Sequence, residues 1–214
     1  MSKKIYLSPS NQTANAYATG NTNEQVQCKK IAKACYDYLK KAGFEVKCTY
    51  NMSMEKRVEE SNSFNADLHI AIHTNATEKH NVTGGTQIYT YSLEGERKKC
   101  AEAIFNQLAP ITVGTTAEKI IAKPEFYEVK KASGMTMYIE AEFHDTRKGS
   151  EFIINNTTEI GEAIARGVCD YYKVKYPSDK LYRVQVGAFS TKKKAEDQLK
   201  KLKSKGFEGY IITT

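Results

Sequence analysis

Between Met137 and Asp145 the chain reads MYIEAEFHD, with Met137, Ile139, Ala141 and Phe143 apolar and Tyr138, Glu140, Glu142 and His144 in between. A period of two places successive side chains on opposite faces of a strand. The segment therefore predicts a core strand that also carries two carboxylates and an imidazole. Earlier, LHIAIHTNA sets Leu68, Ile70 and Ile72 on one side of a strand and His69, Ala71 and His73 on the other, and FEVKCTY (Phe44 to Tyr50) alternates in the same way. Lys4 to Ser8 is a short apolar strand stopped by SPSNQ, and TQIYTYS follows a Gly84-Gly85 turn as a further strand.

Helical spacing fills the intervals. From Glu24 the residues Cys28, Ile31, Cys35 and Leu39 describe one face, and Gly43 stands where a left-handed C-cap belongs. MEKRVEESNSF predicts a second helix, the stretch from about Leu93 to Leu108 a third ended by Pro110, and GEAIARGVCDYY closes an amphipathic helix after a short one near Glu151 to Ile154. In the middle region, KIIAK could form a short strand and EFYEVKKA a helical turn. Strands alternating with helices at this rhythm predict an α/β fold, a mostly parallel sheet flanked by helices, over residues 1–175. The pattern breaks at Tyr176-Pro-Ser-Asp-Lys180, a linker. Residues 181–214 then read as a small βαβ module, too short to bury a core unaided.

The 214 residues are 40% hydrophobic and 27% charged, the balance of a globular chain. No apolar run approaches the roughly 20 residues needed to span a bilayer. The start MSKKIYLSPSNQ lacks the apolar core of a secretory signal, so synthesis in the cytoplasm is expected. A net charge of +7 favours anionic partners. The basic residues gather on helix faces and in KKKAEDQLKKLKSK without interleaved aromatics, which reads as solvated helix surface, and no nucleic-acid partner is expected. Five cysteines with no CxxC spacing read as reduced packing residues.

In α/β sheets functional groups gather beyond the carboxyl ends of strands. Three segments fit that description: Ser8 to Gln12 with the helix entry at Glu24, the strand end at His73, and Glu140. Imidazole and carboxylate are good zinc donors, and an unligated carboxylate beside them is the group that activates water. Blander roles exist for each. His73 could be a core histidine bonded to His69, and Glu24 a first-turn acid favoured by the helix dipole. Glu140 is hardest to explain in this way, because a buried carboxylate is costly unless paired.

At these residues the chain resembles the zinc-dependent N-acetylmuramoyl-L-alanine amidases of the third type, found in clostridial autolysins and phage endolysins. The matching pieces run in family order over about residues 3 to 173: IYLSPSNQ, NEQVQCKKIAKACYDYLKKAGFEV, SNSFNADLHIAIHTNA and MYIEAEFHD. The resemblance implies Glu24 and His73 as zinc ligands and Glu140 as the general base, cleaving the amide between N-acetylmuramic acid and L-alanine of peptidoglycan. One departure stands out. The family's first-strand motif is Asp-Pro-Gly-His, with the histidine on zinc, whereas here the aligned stretch is Ser8-Pro9-Ser10-Asn11-Gln12. Three resolutions are open: Gln12 or Asn11 ligates in its place, another histidine (His69, His80 or His144) completes the set, or the chain binds wall without hydrolysing it. Gln12 is taken as the third ligand.

The tail, LYRVQVGAFSTKKKAEDQLKKLKSKGFEGYIITT, resembles the first half of a SPOR repeat, a peptidoglycan-binding module. That resemblance implies glycan binding on the face carrying Arg183 and Gln185. With only half the module present and an apolar stripe on it, a homodimer in which a second copy completes the half-sheet is expected. The expected activity is on the cell wall, after release from the cytoplasm.

Overall fold

The structure is a computed structural model describing residues 2–77, 84–175 and 185–212. The chain divides into two compact units, residues 1–177 and 178–214.

In the first unit the elements follow in order as β1 (Lys4–Pro9), α1 (Glu24–Lys41), β2 (Glu45–Cys48), α2 (Met54–Ser63), β3 (Leu68–Asn75), β4 (Gln87–Thr90), α3 (Gly95–Leu108), β5 (Lys119–Ala122), α4 (Tyr127–Lys131), β6 (Met135–Phe143), α5 (Arg147–Asn155) and α6 (Thr157–Tyr172). A single 3-10 turn, Ala109–Ile111, follows α3 at Pro110. The six strands form one sheet in the order β2-β1-β3-β6-β4-β5. Every neighbouring pair is parallel except β4 with β6, which run antiparallel. The mostly parallel sheet expected from the helix-strand rhythm is therefore present, with one reversed pair beyond β6.

The alternation read in the strands sorts the sheet into two faces. Ile5, Leu7, Leu68, Ile70, Ile72, Ile88, Met137 and Ile139 are fully buried in one apolar core with Cys28, Ile31, Cys35 and Leu39 of α1, Ile104 of α3 and Ile164 of α6. Helix α6 lies close against both of its neighbours because it carries glycines at the contacts. A methyl group at Gly161 would come within 2.4 Å of the Ile31 carbonyl oxygen, and one at Gly167 within 2.3 Å of Ile104 Cα. All five cysteines are free, four of them buried, as packing residues.

Strand order sets where a cleft can form. From β1 the chain crosses to β2 on one side and later enters β3 on the other, so a switch of direction lies between β1 and β3. At such a point the connections diverge and leave a crevice beyond the carboxyl ends of the strands. Pro9 and His73 stand at that end of β1 and β3.

In the second unit, α7 (Lys192–Lys203) is capped by Thr191, whose hydroxyl accepts from the Lys194 amide. Residues 185–189 and 207–212 carry no ladder pairing among the described residues. The two flanking strands expected there are thus not formed over these residues, since a strand needs a neighbour and a lone half-module offers none. Val186, Phe189, Phe207, Tyr210 and Ile212 are exposed. The predicted linker 176–180 and Arg183 lie outside the described residues, whereas Gln185 is exposed, its amide 3.5 Å from the Gly187 carbonyl oxygen. Among the described residues no helix is long and apolar enough to cross a membrane.

Candidate active site

Glu24 is the first residue of α1, set by its neighbour: the Asn23 side chain caps the helix by accepting from the Val26 amide at 3.1 Å. From this position the carboxylate reaches over the strand ends. Its Oε1 lies 2.8 Å from His73 Nδ1, and its Oε2 accepts from Asn15 Nδ2 at 2.6 Å. Asn15 also donates to Gln12 Oε1 at 3.0 Å, and Gln12 Nε2 lies 3.4 Å from the same His73 Nδ1. Glu24, His73 and Gln12 thus form one cluster.

Glu140 enters through the sheet. It is the register partner of His73 on the adjoining parallel strand, so both side chains leave the same face. Its Oε2 is buried with no hydrogen-bond partner. Burial raises the Glu140 carboxyl, His73 opposes that and Glu24 adds to it, leaving it pushed up to about 8. His73 is shifted too. Burial would lower it, but the carboxylates of Glu128 and Glu24 and the charge of Glu140 outweigh that and raise it to about 9. Glu24 is held below the usual carboxylate range: burial acts against this, and the contacts with His73 and Asn15 prevail.

Three of the residues considered for the place of the missing histidine have other partners in the structure. Asn11 turns away, donating to the Met52 carbonyl at 3.1 Å. His69 does not bond His73; its Nδ1 lies 2.9 Å from Ser61 Oγ and its Nε2 3.2 Å from Glu128 Oε1. His144 is stacked on Tyr17 with centroids 4.9 Å apart and contacts Thr74 Oγ1 at 2.9 Å through Nδ1. His80 lies outside the described residues.

Among the described residues no three His, Cys, Asp or Glu side chains are grouped so as to hold a metal ion. With Gln12 counted, the cluster offers a carboxylate, an imidazole and an amide, the number of protein ligands in an open catalytic zinc site. The amide is the weakest of these donors, and its nitrogen now faces His73, so ligation through oxygen requires the amide to turn over. The partnerless Glu140 oxygen beside the cluster suits a cation or a water held there.

Two residues at this end of the sheet were not singled out from sequence. Glu142, which the alternation sets on the same strand face as Glu140, is fully buried and accepts from the backbone amides of Gly85, Val113, Gly114 and Phe143 at 2.8–3.1 Å, pinning two loops to β6. Glu128, on the short α4, accepts from the Ser8 hydroxyl, and the Ser8 oxygen in turn accepts from Arg57 Nε at 2.7 Å.

Solved amidase structures share this architecture. AmiC2 of Nostoc punctiforme superposes with a TM-score of 0.71 at 20% identity, over 80% of this chain and 97% of that one. The CwlD amidase from Clostridioides difficile, solved in complex with the GerS lipoprotein, gives 0.69 at 18% identity, over 80% and 98%. Fold and cleft together define an amidase-type α/β domain. Residues 8–170 match the N-acetylmuramoyl-L-alanine amidase family, to which the chain belongs, and residues 162–213 match the SPOR domain. A sporulation-specific N-acetylmuramoyl-L-alanine amidase of Bacillus subtilis is 23% identical over 223 residues, covering 98% of this chain and 84% of that protein. An uncharacterized 38.4 kDa protein of Clostridium perfringens is 26% identical over 172 residues, and the matched part spans about half (49%) of its length and 76% of this chain.

Proposed function

We propose that this chain hydrolyses the amide between N-acetylmuramic acid and the L-alanine of the peptidoglycan stem peptide. The observation that carries the reading is the meeting of Glu24, His73 and Glu140 at the switch point of an amidase-family sheet. In this reading Glu140 serves first as general base and then as general acid: in its ionised form the carboxylate takes a proton from the attacking water and then returns it to the departing alanine nitrogen, and its burial makes it the stronger base. Tyr138 stacks on His73 with centroids 4.4 Å apart and 15° between the planes, so the imidazole is held edge-on to Glu24. Zinc, held by Glu24, His73 and Gln12, would supply Lewis-acid polarisation of the scissile carbonyl and a more acidic water. The wall polymer is bound by the SPOR-like tail, with Arg183 and Gln185 as the residues that contact the glycan. A second copy completes the tail's half-sheet in a homodimer, a state the exposed Val186, Phe207 and Tyr210 favour. Sedimentation of the full chain as a monomer would refute the dimer.

The second reading, a wall-binding protein without hydrolysis, rests on Ser8-Pro9-Ser10-Asn11-Gln12 in place of a histidine-bearing motif. A zymogram on clostridial walls separates the two. Clearing that a chelator removes and zinc restores establishes the hydrolase; retention on the walls with no clearing under any condition establishes the binder.

A further inference from the structure

Behind His73, away from Glu24, a set of ionisable groups is buried that the proposed reaction does not use. Glu128 is 1% exposed, Arg57 2% and His69 0%. Glu128 Oε1 is fully engaged: it accepts from Ser8, lies 3.2 Å from His69 Nε2 and 4.0 Å from Arg57 Nη2. Its other oxygen is not. Glu128 Oε2 is buried without a hydrogen-bond partner, as is His73 Nε2, and the two face each other at 3.8 Å. At that distance they form an ion pair rather than a hydrogen bond. Each is the nearest remedy for the other, because a buried donor or acceptor left unpaired loses the hydrogen bonds it would make to water.

From this arrangement we infer that Glu128 is a positioning residue for His73, accepting from its Nε2–H and thereby fixing Nδ1 as the atom offered to the Glu24 and Gln12 cluster. A carboxylate behind a metal-ligating imidazole sets which ring nitrogen is free and raises its basicity. Three features make Glu128 suited to the role. Its Oε1 is clamped by Ser8 and His69, so the carboxylate cannot turn away. The stacked Tyr138 ring fixes the imidazole plane, so Nε2 points to Glu128 whenever Nδ1 points to Glu24. Arg57, anchored at 2.6 Å on the Met52 carbonyl, sets its Nη2 4.0 Å from the same Glu128 Oε1 and closes that side of the carboxylate. Ser8 also stands where the family's first-strand motif has Asp. Here strand β1 supplies only a hydroxyl, and the acid arrives from α4.

The positioning role rests on the metal cluster of the proposed function, and its test is read apart from activity. In the full chain, the His73 Nε2–H should appear in proton-nitrogen spectra as a downfield, slowly exchanging resonance, assigned by its loss in H73Q. Glu128→Gln should move that resonance upfield and weaken zinc binding, measured by competition with a chromophoric chelator, roughly 10–100-fold. If E128Q does not fold, Ser8→Ala removes the hydroxyl clamp while leaving every charge, and should shift both readouts in the same direction by less. A His73 resonance unmoved in whichever variant folds, or a wild-type His73 with no proton on Nε2, overturns the inference. Wild type that never clears walls, with the His73 resonance moving as expected, would refute the hydrolase reading and leave the positioning role standing.

Discussion

On one face of the sheet Ile5, Leu7, Ile70, Ile72, Met137 and Ile139 meet α1, α3 and α6; on the other, Tyr6, Ser8, His69, His73 and Tyr138 meet α2 and α4. Water is excluded from both: Ile70 and His69, neighbours in the chain, are each 0% exposed. The apolar face needs only volume and shape, and close packing supplies its stability. The polar face must match each donor with an acceptor, as His69 does with Ser61 and Glu128 and Tyr6 with Glu60 at 2.6 Å. Where that matching stops, at His73 Nε2, Glu128 Oε2 and Glu140 Oε2, the groups lie at the carboxyl ends of β3 and β6 or pack directly behind them. The difference teaches that one face holds the fold and the other spends part of its matching on a site.

The strongest way to break this division is to remove a functional group from the polar face. Glu140→Gln keeps size and hydrogen-bonding capacity, so wall clearing measured by turbidity should fall about 10²–10⁴-fold while the fold persists. An E140Q protein that clears walls at the wild-type rate would remove Glu140 from the chemistry. On the apolar face, Ile70→Ala should cost about 2–5 kcal/mol in urea unfolding, the range for a buried aliphatic truncation, with zinc affinity unchanged. A fall in zinc affinity matching the fall in stability would show the faces are not independent. Smaller again is Ser61→Ala, which leaves His69 Nδ1 unpaired and should cost about 1–3 kcal/mol. Were it as costly as I70A, matching on the polar face would be as important to folding as packing on the other.

How much of this was legible in the sequence follows the same division. Period-two strands and the α1 spacing of Cys28, Ile31, Cys35 and Leu39 exposed the apolar face directly, because burial there depends on residue type alone. Gly43 was readable as a helix end, and it adopts φ +92°. Glu24, His73 and Glu140 were located by the order of motifs, and the structure brings the three together. Glu128 was not found: α4 is five residues long, with too little length for a periodic signal, and its partner Ser8 is 120 positions away. Arg57 was not found either: it sits in the polar helix MEKRVEESNSF, with no pattern to mark it, and is buried against Ser8 and Met52. Polar matching is pairwise and nonlocal, so no single segment announces it.

The finest distinction between the faces is their dependence on pH. Apolar packing carries no protons, whereas Glu140 has its carboxyl raised to about 8 by burial. Below about 4.5 the group is protonated in both folded and unfolded chains and contributes no slope. Between about 4.5 and 8 the unfolded chain has released the proton and the folded chain has not, so the folded state binds more protons and stability falls as pH rises. Above 8 both have lost it and the slope vanishes. Glu140→Gln cannot ionise, so in metal-free protein its melting temperature should exceed that of wild type increasingly from pH 5 to pH 8, by a few degrees at most for a half-buried group screened in part by solvent. His73 adds a loss of its own in both proteins as pH rises through about 9, since its folded value is raised. In E140Q that contribution is smaller, because the charge of Glu140 is one of the causes that raise His73, and what remains of it marks the residual slope. Parallel melting curves for E140Q and wild type across this window would mean that the carboxyl is not held protonated by its surroundings, and Glu140 would then be no different from an exposed strand-end acid.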